Sequence, residues 1–177
     1  MKLTLVAAVS VLSTLASGLA LPDLTPRSTV IHPEITVAIK ADFPTTSFPA
    51  TAEVSRLNQN HEVRTLLGFQ VPPCTGTCTF SFPTAANTAT GSAQMQLFSV
   101  FQYPSSTTTW NTRSTTNIQL GTFKASTTGA ATVVDNFGLS FACPSITTFL
   151  AYELHPVNDN DSITWNVPGG GFILTCG

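Results

Sequence analysis

The chain has 177 residues, a formal net charge of −2 and only 9% charged side chains, against about 25% in an ordinary soluble domain. Its seven lysines and arginines are scattered along the chain, which excludes the basic footprint of a nucleic-acid binder. Serine and threonine supply roughly a quarter of the residues, so the surface is wetted by hydroxyls more than by ions, and the threonine-rich loops are candidate acceptors of O-linked sugars.

Residues 1–20, MKLTLVAAVSVLSTLASGLA, place one lysine before an apolar stretch from Leu3 to Leu15 and small residues at Gly18 and Ala20. This is the pattern of a secretory signal peptide. A membrane span needs about twenty strongly apolar residues, and Ser10, Ser13 and Thr14 interrupt this run. No later segment is apolar enough to span a bilayer. The expectation is a secreted chain, extracellular or held in a cell wall. Residues 21–33 carry three prolines and no periodicity and read as an extended leader, leaving 34–177 as one domain with a single core.

From residue 35 the hydrophobic period is two. Ile35, Val37 and Ile39 alternate with Thr36 and Lys40, as in a half-buried strand. Residues 42–60, with Pro44 and Pro49, read as a loop holding at most a short edge strand around Val54. Strand patterns follow at 63–71, 77–82 and 95–101, the clearest being Cys78, Phe80 and Phe82 against Thr79 and Ser81. Residues 104–117 are a polar connection. Strands resume at 118–123, 131–137, 139–141, 149–157, 162–167 and 171–175. Many short strands with turn signals between them, and no amphipathic helix, predict an all-β fold: an antiparallel, jelly-roll-like β-sandwich.

The four cysteines, Cys74, Cys78, Cys143 and Cys176, are an even number in a chain sent to an oxidising compartment and predict two disulfides. Spacing does not choose among the three pairings. Cys-x3-Cys at 74 and 78 has no second close pair, so no zinc site, and no other metal or cofactor, is expected.

Reactive residues are densest in LAYELHPVNDNDSITW, 150–165. Two strand patterns flank Asn158-Asp159-Asn160-Asp161-Ser162, which reads as the turn of a β-hairpin capped by Asp159 and Asp161. A calcium loop is disfavoured by the missing central glycine and distal glutamate. Asn160-Asp161-Ser162 is an N-glycosylation acceptor sequence. His32, His61 and His155 lack metal-ligand spacing and read as surface or loop residues. No nucleophile elbow occurs, and Gly169-Gly170-Gly171 reads as a turn.

Two binding or catalytic candidates stand out. Trp110, alone in a polar segment beside Asn111 and Arg113, has the amphipathic ring that stacks on sugars or anchors a partner, or else it folds back as a lid over the core. Glu153 lies mid-strand and is the best candidate for a glycan-hydrolysing carboxylate, with a structural role as the simpler alternative.

From Val63 onward, TLLGFQVP (65–72), CTFSFP (78–83), TWN (109–111), LGTF (120–123), Cys143-Pro144, LAYELHPV (150–157) with its acidic turn, SITW and GGGFILT occur in an order that resembles the C-terminal domain of the fungal "ubiquitin 3 binding protein" But-2 family. The resemblance implies a β-sandwich and a Cys78–Cys143 disulfide, leaving Cys74 with Cys176; a Cys74–Cys78 bond is the rival scheme. It supplies no catalytic residues. The family name points to an intracellular activating enzyme for a ubiquitin-like protein, a partner that a secreted chain does not meet. The sequence therefore predicts a secreted, non-catalytic interaction protein whose partner is a wall glycan or an extracellular protein, with a carbohydrate-binding module and a Glu153 hydrolase as alternatives.

Overall fold

The computed structural model describes residues 28–177; the signal sequence expected at 1–20 lies outside them. The described chain forms fourteen strands and no helix: β1 (Thr29–Ile31), β2 (Ile35–Lys40), β3 (Ser47–Pro49), β4 (Glu53–Leu57), β5 (His61–Val71), β6 (Thr77–Ser81), β7 (Thr88–Thr90), β8 (Gln94–Val100), β9 (Thr116–Lys124), β10 (Thr132–Asn136), β11 (Ser140–Ala142), β12 (Thr148–Pro156), β13 (Asp161–Thr164) and β14 (Ile173–Cys176). Every strand pairing is antiparallel. A four-stranded sheet runs β1-β14-β6-β11, and a ten-stranded sheet runs β10-β9-β8-β12-β5-β4-β13-β7 with β2 and β3 attached beside β5.

The core fills the space between these sheets. Cys78 and Phe80 of β6 and Leu174 of β14 meet Leu67, Phe69 and Val71 of β5, Met95 and Leu97 of β8, and Tyr152 and Leu154 of β12. The side-chain period of two gives both sheets one buried face. Aromatic rings lock the centre edge to face, Phe80 lying 4.6 Å from Tyr152 and Phe123 4.9 Å from Phe172. This is the antiparallel β-sandwich that the alternation predicts.

Strand β5 organises the larger sheet because its eleven residues exceed what one neighbour can pair. Residues 65–71 pair with β12, 63–68 with β2 and 61–63 with β4. Its odd-numbered residues 67–71 face the core. Leu66 faces outward, where it joins Val37 and Ile39 of β2 in a second, smaller apolar cluster.

Three sequence expectations are corrected, and one strand was not anticipated. Residues 42–60 contain two strands, and β4 is interior to the sheet, paired with both β5 and β13; polar alternation around Val54 hides a strand with only one buried side. Residues 29–31 of the expected leader form β1 on β14. Residues 88–90 form β7, which has no apolar alternation to reveal it. Strands β12 and β13 do not pair as a hairpin, since β12 lies between β5 and β8 while β13 lies between β4 and β7. The turn between them is held from outside. Asp161 accepts hydrogen bonds from the Asn158 and Ser92 backbone N–H groups and the Ser92 hydroxyl, and Asp159 accepts one from the Gln59 N–H. Asp161 thus caps its own turn, whereas Asp159 caps the turn between β4 and β5. Both carboxylates are engaged structurally, Asp161 at the turn that the sequence assigns to it and Asp159 at another.

Candidate binding site

The outward face of the larger sheet carries the chemistry. Because residues two apart on a strand share a face, Glu62, Arg64 and Leu66 of β5 lie on the same side as Glu153 and His155 of β12, with Phe98 of β8 beside them. Glu153 is paired in register with Leu66 on one side and Phe98 on the other. A carboxylate at mid-sheet is covered on both flanks, and Glu153 is fully buried.

The polar connection between β8 and β9 closes over this face. Its backbone is fixed by side-chain-supported turns, Ser105 N–H to the Thr108 hydroxyl and Thr109 N–H to the Thr112 hydroxyl, and by the Asn111 N–H bonded to the Pro44 carbonyl. These anchors seat the Trp110 indole on Val37, Ile39 and Leu66. Trp110 is a lid, as one reading of the sequence holds, but it covers the outer face of the sheet rather than an end of the main core. The guanidinium carbons of Arg113 and Arg64 lie 4.0 and 5.0 Å from its ring centre.

Glu153 Oε1 is the hub of the cluster. Arg64 Nη1 donates to it at 3.0 Å, His155 Nε2 lies 3.1 Å away and Arg113 Nε 3.8 Å away. Arg64 also bonds Glu62 through Nε at 2.5 Å, and Glu62 in turn binds Arg56. Arg113 donates through Nη1 to the Trp110 carbonyl. The second carboxylate oxygen, Glu153 Oε2, is buried and has no hydrogen-bond partner among the described residues. Burial pushes the Glu153 carboxyl upward, but the hydrogen bonds and charges of His155 and Arg64 outweigh it and hold the group below the ordinary carboxylate range. Burial, then the charge of Arg64, lowers the Arg113 guanidinium, against the opposing pull of Glu153 and Glu62.

A cavity of about 330 Å³ opens here, lined by Arg64, Trp110, Asn111, Arg113, Glu153 and the hydroxyl residues 114–116. The structure therefore brings the tryptophan patch and the mid-strand glutamate, separate candidates in the sequence, to one place. Sequence reasoning missed Arg64 and His155. His155 is not a surface or loop residue: it lies in β12, is mostly buried and packs 4.5 Å from the Phe98 ring. Its alternation with Glu153 and Leu154 was the available signal. His32 and His61 are exposed, His61 bonding Asp42. A larger cavity of about 520 Å³ between residues 89–93 and 124–132 is lined by small residues, hydroxyls and Lys124, and has no aromatic or carboxylate.

The remaining candidates fall elsewhere. Asn160 is exposed in the β12–β13 turn. Cys74 pairs with Cys176 and Cys78 with Cys143, with Cα separations of 6.5 and 5.0 Å, which is the scheme that the resemblance implies. Among the described residues, the cluster compact enough for a metal is Cys74, Cys143 and Cys176, and those sulfurs belong to the two adjacent disulfides.

Fold and site together define a disulfide-braced antiparallel sandwich that carries a charged, aromatic pocket on the outer face of one sheet. The model of the "Ubiquitin 3 binding protein But2 C-terminal domain" matches residues 32–166, and the chain belongs to that family. An uncharacterized but2-like protein of Schizosaccharomyces pombe is 24% identical over 114 residues, covering 60% of this chain and 28% of the relative. The chain thus spans under a third of that relative's length.

Proposed function

We propose that this But2 C-terminal domain is a secreted, non-catalytic binding module, wall-associated or extracellular, and that it recognises its partner at the Trp110–Arg113–Glu153 pocket. The observation that carries the reading is the orphaned, buried Oε2 of Glu153, a residue that lines one cavity with an indole and two guanidinia. Fixed, pre-bonded side chains of this kind suit recognition, because little order has to be gained on binding. The signal-like residues 1–20, the sparse charge and the paired cysteines support an extracellular setting.

Hydrolysis by Glu153 is the weaker reading. A general acid needs a raised pKa, whereas Arg64 and His155 hold this carboxyl down. Binding of a ubiquitin-related protein, which the family name suggests, would require an intracellular pool of the chain.

The test is recovery from the culture medium of the producing cells, with intact mass, followed by retention on insoluble wall material. The expected result is a chain beginning near Leu21, retained by the wall, with Arg113→Gln released. Full-length protein confined to cells, or retention indifferent to Arg113, contradicts the proposal.

A further inference from the structure

The contents of the pocket restrict what it can hold, and this inference rests on the reading of the pocket as a recognition site. Arg64 is tied to the protein at two of its three nitrogens, Nη1 serving Glu153 and Nε serving Glu62. Arg113 is anchored through Nη1 to a single carbonyl and reaches Glu153 Oε1 through Nε only at 3.8 Å, so it keeps donors for a ligand. Among the described residues, Glu153 Oε2 is a buried acceptor without a donor. Buried polar oxygens are almost always partnered, so the donor has to come from solvent or from a ligand.

A free acceptor next to free donors is met by a group that gives and accepts at once. An anion would set its own oxygens against the unpaired carboxylate oxygen. A cation would face two guanidinia. A neutral diol meets neither penalty, since one hydroxyl donates to the carboxylate while its neighbour accepts from the guanidinium. Trp110 and the hydroxyl-bearing residues 114–116 line the same cavity, whose volume of about 330 Å³ is at the small end of ligand sites.

We infer that the pocket takes one neutral, polyhydroxylated sugar unit of a glycan, with a ligand hydroxyl donating to Glu153 Oε2 and an adjacent oxygen accepting from Arg113. Recognition is non-covalent, and no bond is made or broken.

The experiment is calorimetric titration of the secreted, disulfide-intact protein with neutral hexasaccharides of glucose, mannose and N-acetylglucosamine, and with an anionic hexauronate. Saturable binding of at least one neutral hexamer is expected, weakened about tenfold or more by Arg113→Gln. Asn111→Ala, at the exposed rim, weakens it as well and serves if Arg113→Gln fails to fold. Absence of neutral binding up to about 5 mM, a preference for the uronate, or neutral binding that ignores both substitutions overturns the inference. If wall retention still depends on Arg113 while every neutral hexamer fails, the ligand class is wrong and the binding-module reading stands.

Discussion

Arg64 Nη1 sits 3.0 Å from Glu153 Oε1, a pair joining β5 to β12 across the outer face of the larger sheet, with the carboxylate fully buried and the guanidinium mostly so. Removing Arg64 leaves the buried carboxylate with only His155 and the more distant Arg113 beside it, and breaking a buried pair costs up to about 3–5 kcal/mol. Arg64→Met is therefore expected to lower unfolding stability by that order in urea titration. The double variant Arg64→Met/Glu153→Leu is expected to recover much of the loss, and equal losses in both would contradict the pairing.

The pH dependence of this pair has a definite sign. Glu153 is held below the ordinary carboxylate range in the folded state. Its contribution to stability is present above the unfolded carboxylate value, about 4.3, and is lost as pH falls through the depressed folded value. Glu153→Gln is expected to cost most at neutral pH and to converge with the wild type under acid. Denaturation at pH 7, 5 and 3 measures this; a difference that widens toward pH 3 would refute it.

Tyr103 crosses Gly68 so closely that a Cβ there would lie 2.7 Å from the ring, and its hydroxyl donates to Glu34 at 3.4 Å. Burial first, then the charge and hydrogen bond of Glu34, push its phenol up to about 12, and burial alone raises Tyr152. These are the two tyrosines of the chain. Ultraviolet titration of the folded protein is expected to show little phenolate at pH 10, where free tyrosine is half ionised. The associated stability is present below about pH 10 and is lost as pH rises through the folded value.

Disulfide mapping of the unreduced protein is expected to yield Cys74–Cys176 and Cys78–Cys143 peptides. Paired serine substitution at 78 and 143 is expected to cost about 2–5 kcal/mol, because the bond ties β6 to the segment just after β11 within the core. A Cys74–Cys78 peptide would refute the scheme.

A glycine at 171 with φ of +87° lies directly against the Trp165 indole. An alanine there meets both a disfavoured backbone region and an occupied space, so Gly171→Ala is expected to lower the melting temperature by several degrees. An unchanged melting temperature would contradict this packing.

The sandwich was legible because Cys78, Phe80 and Phe82 or Tyr152 and Leu154 declare one buried face through strict alternation. Strands β1 and β7 were not, since three residues of mixed polarity carry no period. The hairpin expectation failed because period two states which face is buried but not which strand lies alongside. Trp110, Asn111, Arg113 and Glu153 were each visible as chemistry. Their convergence was not, because it depends on the 104–117 connection folding across the sheet, and on Arg64, whose role only the β5–β12 register reveals.

The most direct measurement of the binding claim follows the two tryptophan indole N–H resonances during titration with a solubilised wall extract. Trp110 lines the pocket and Trp165 is buried in the core. Progressive movement of the Trp110 signal, with Trp165 fixed, is the predicted result. A stationary Trp110 signal while the protein binds the extract would place recognition elsewhere and contradict the account.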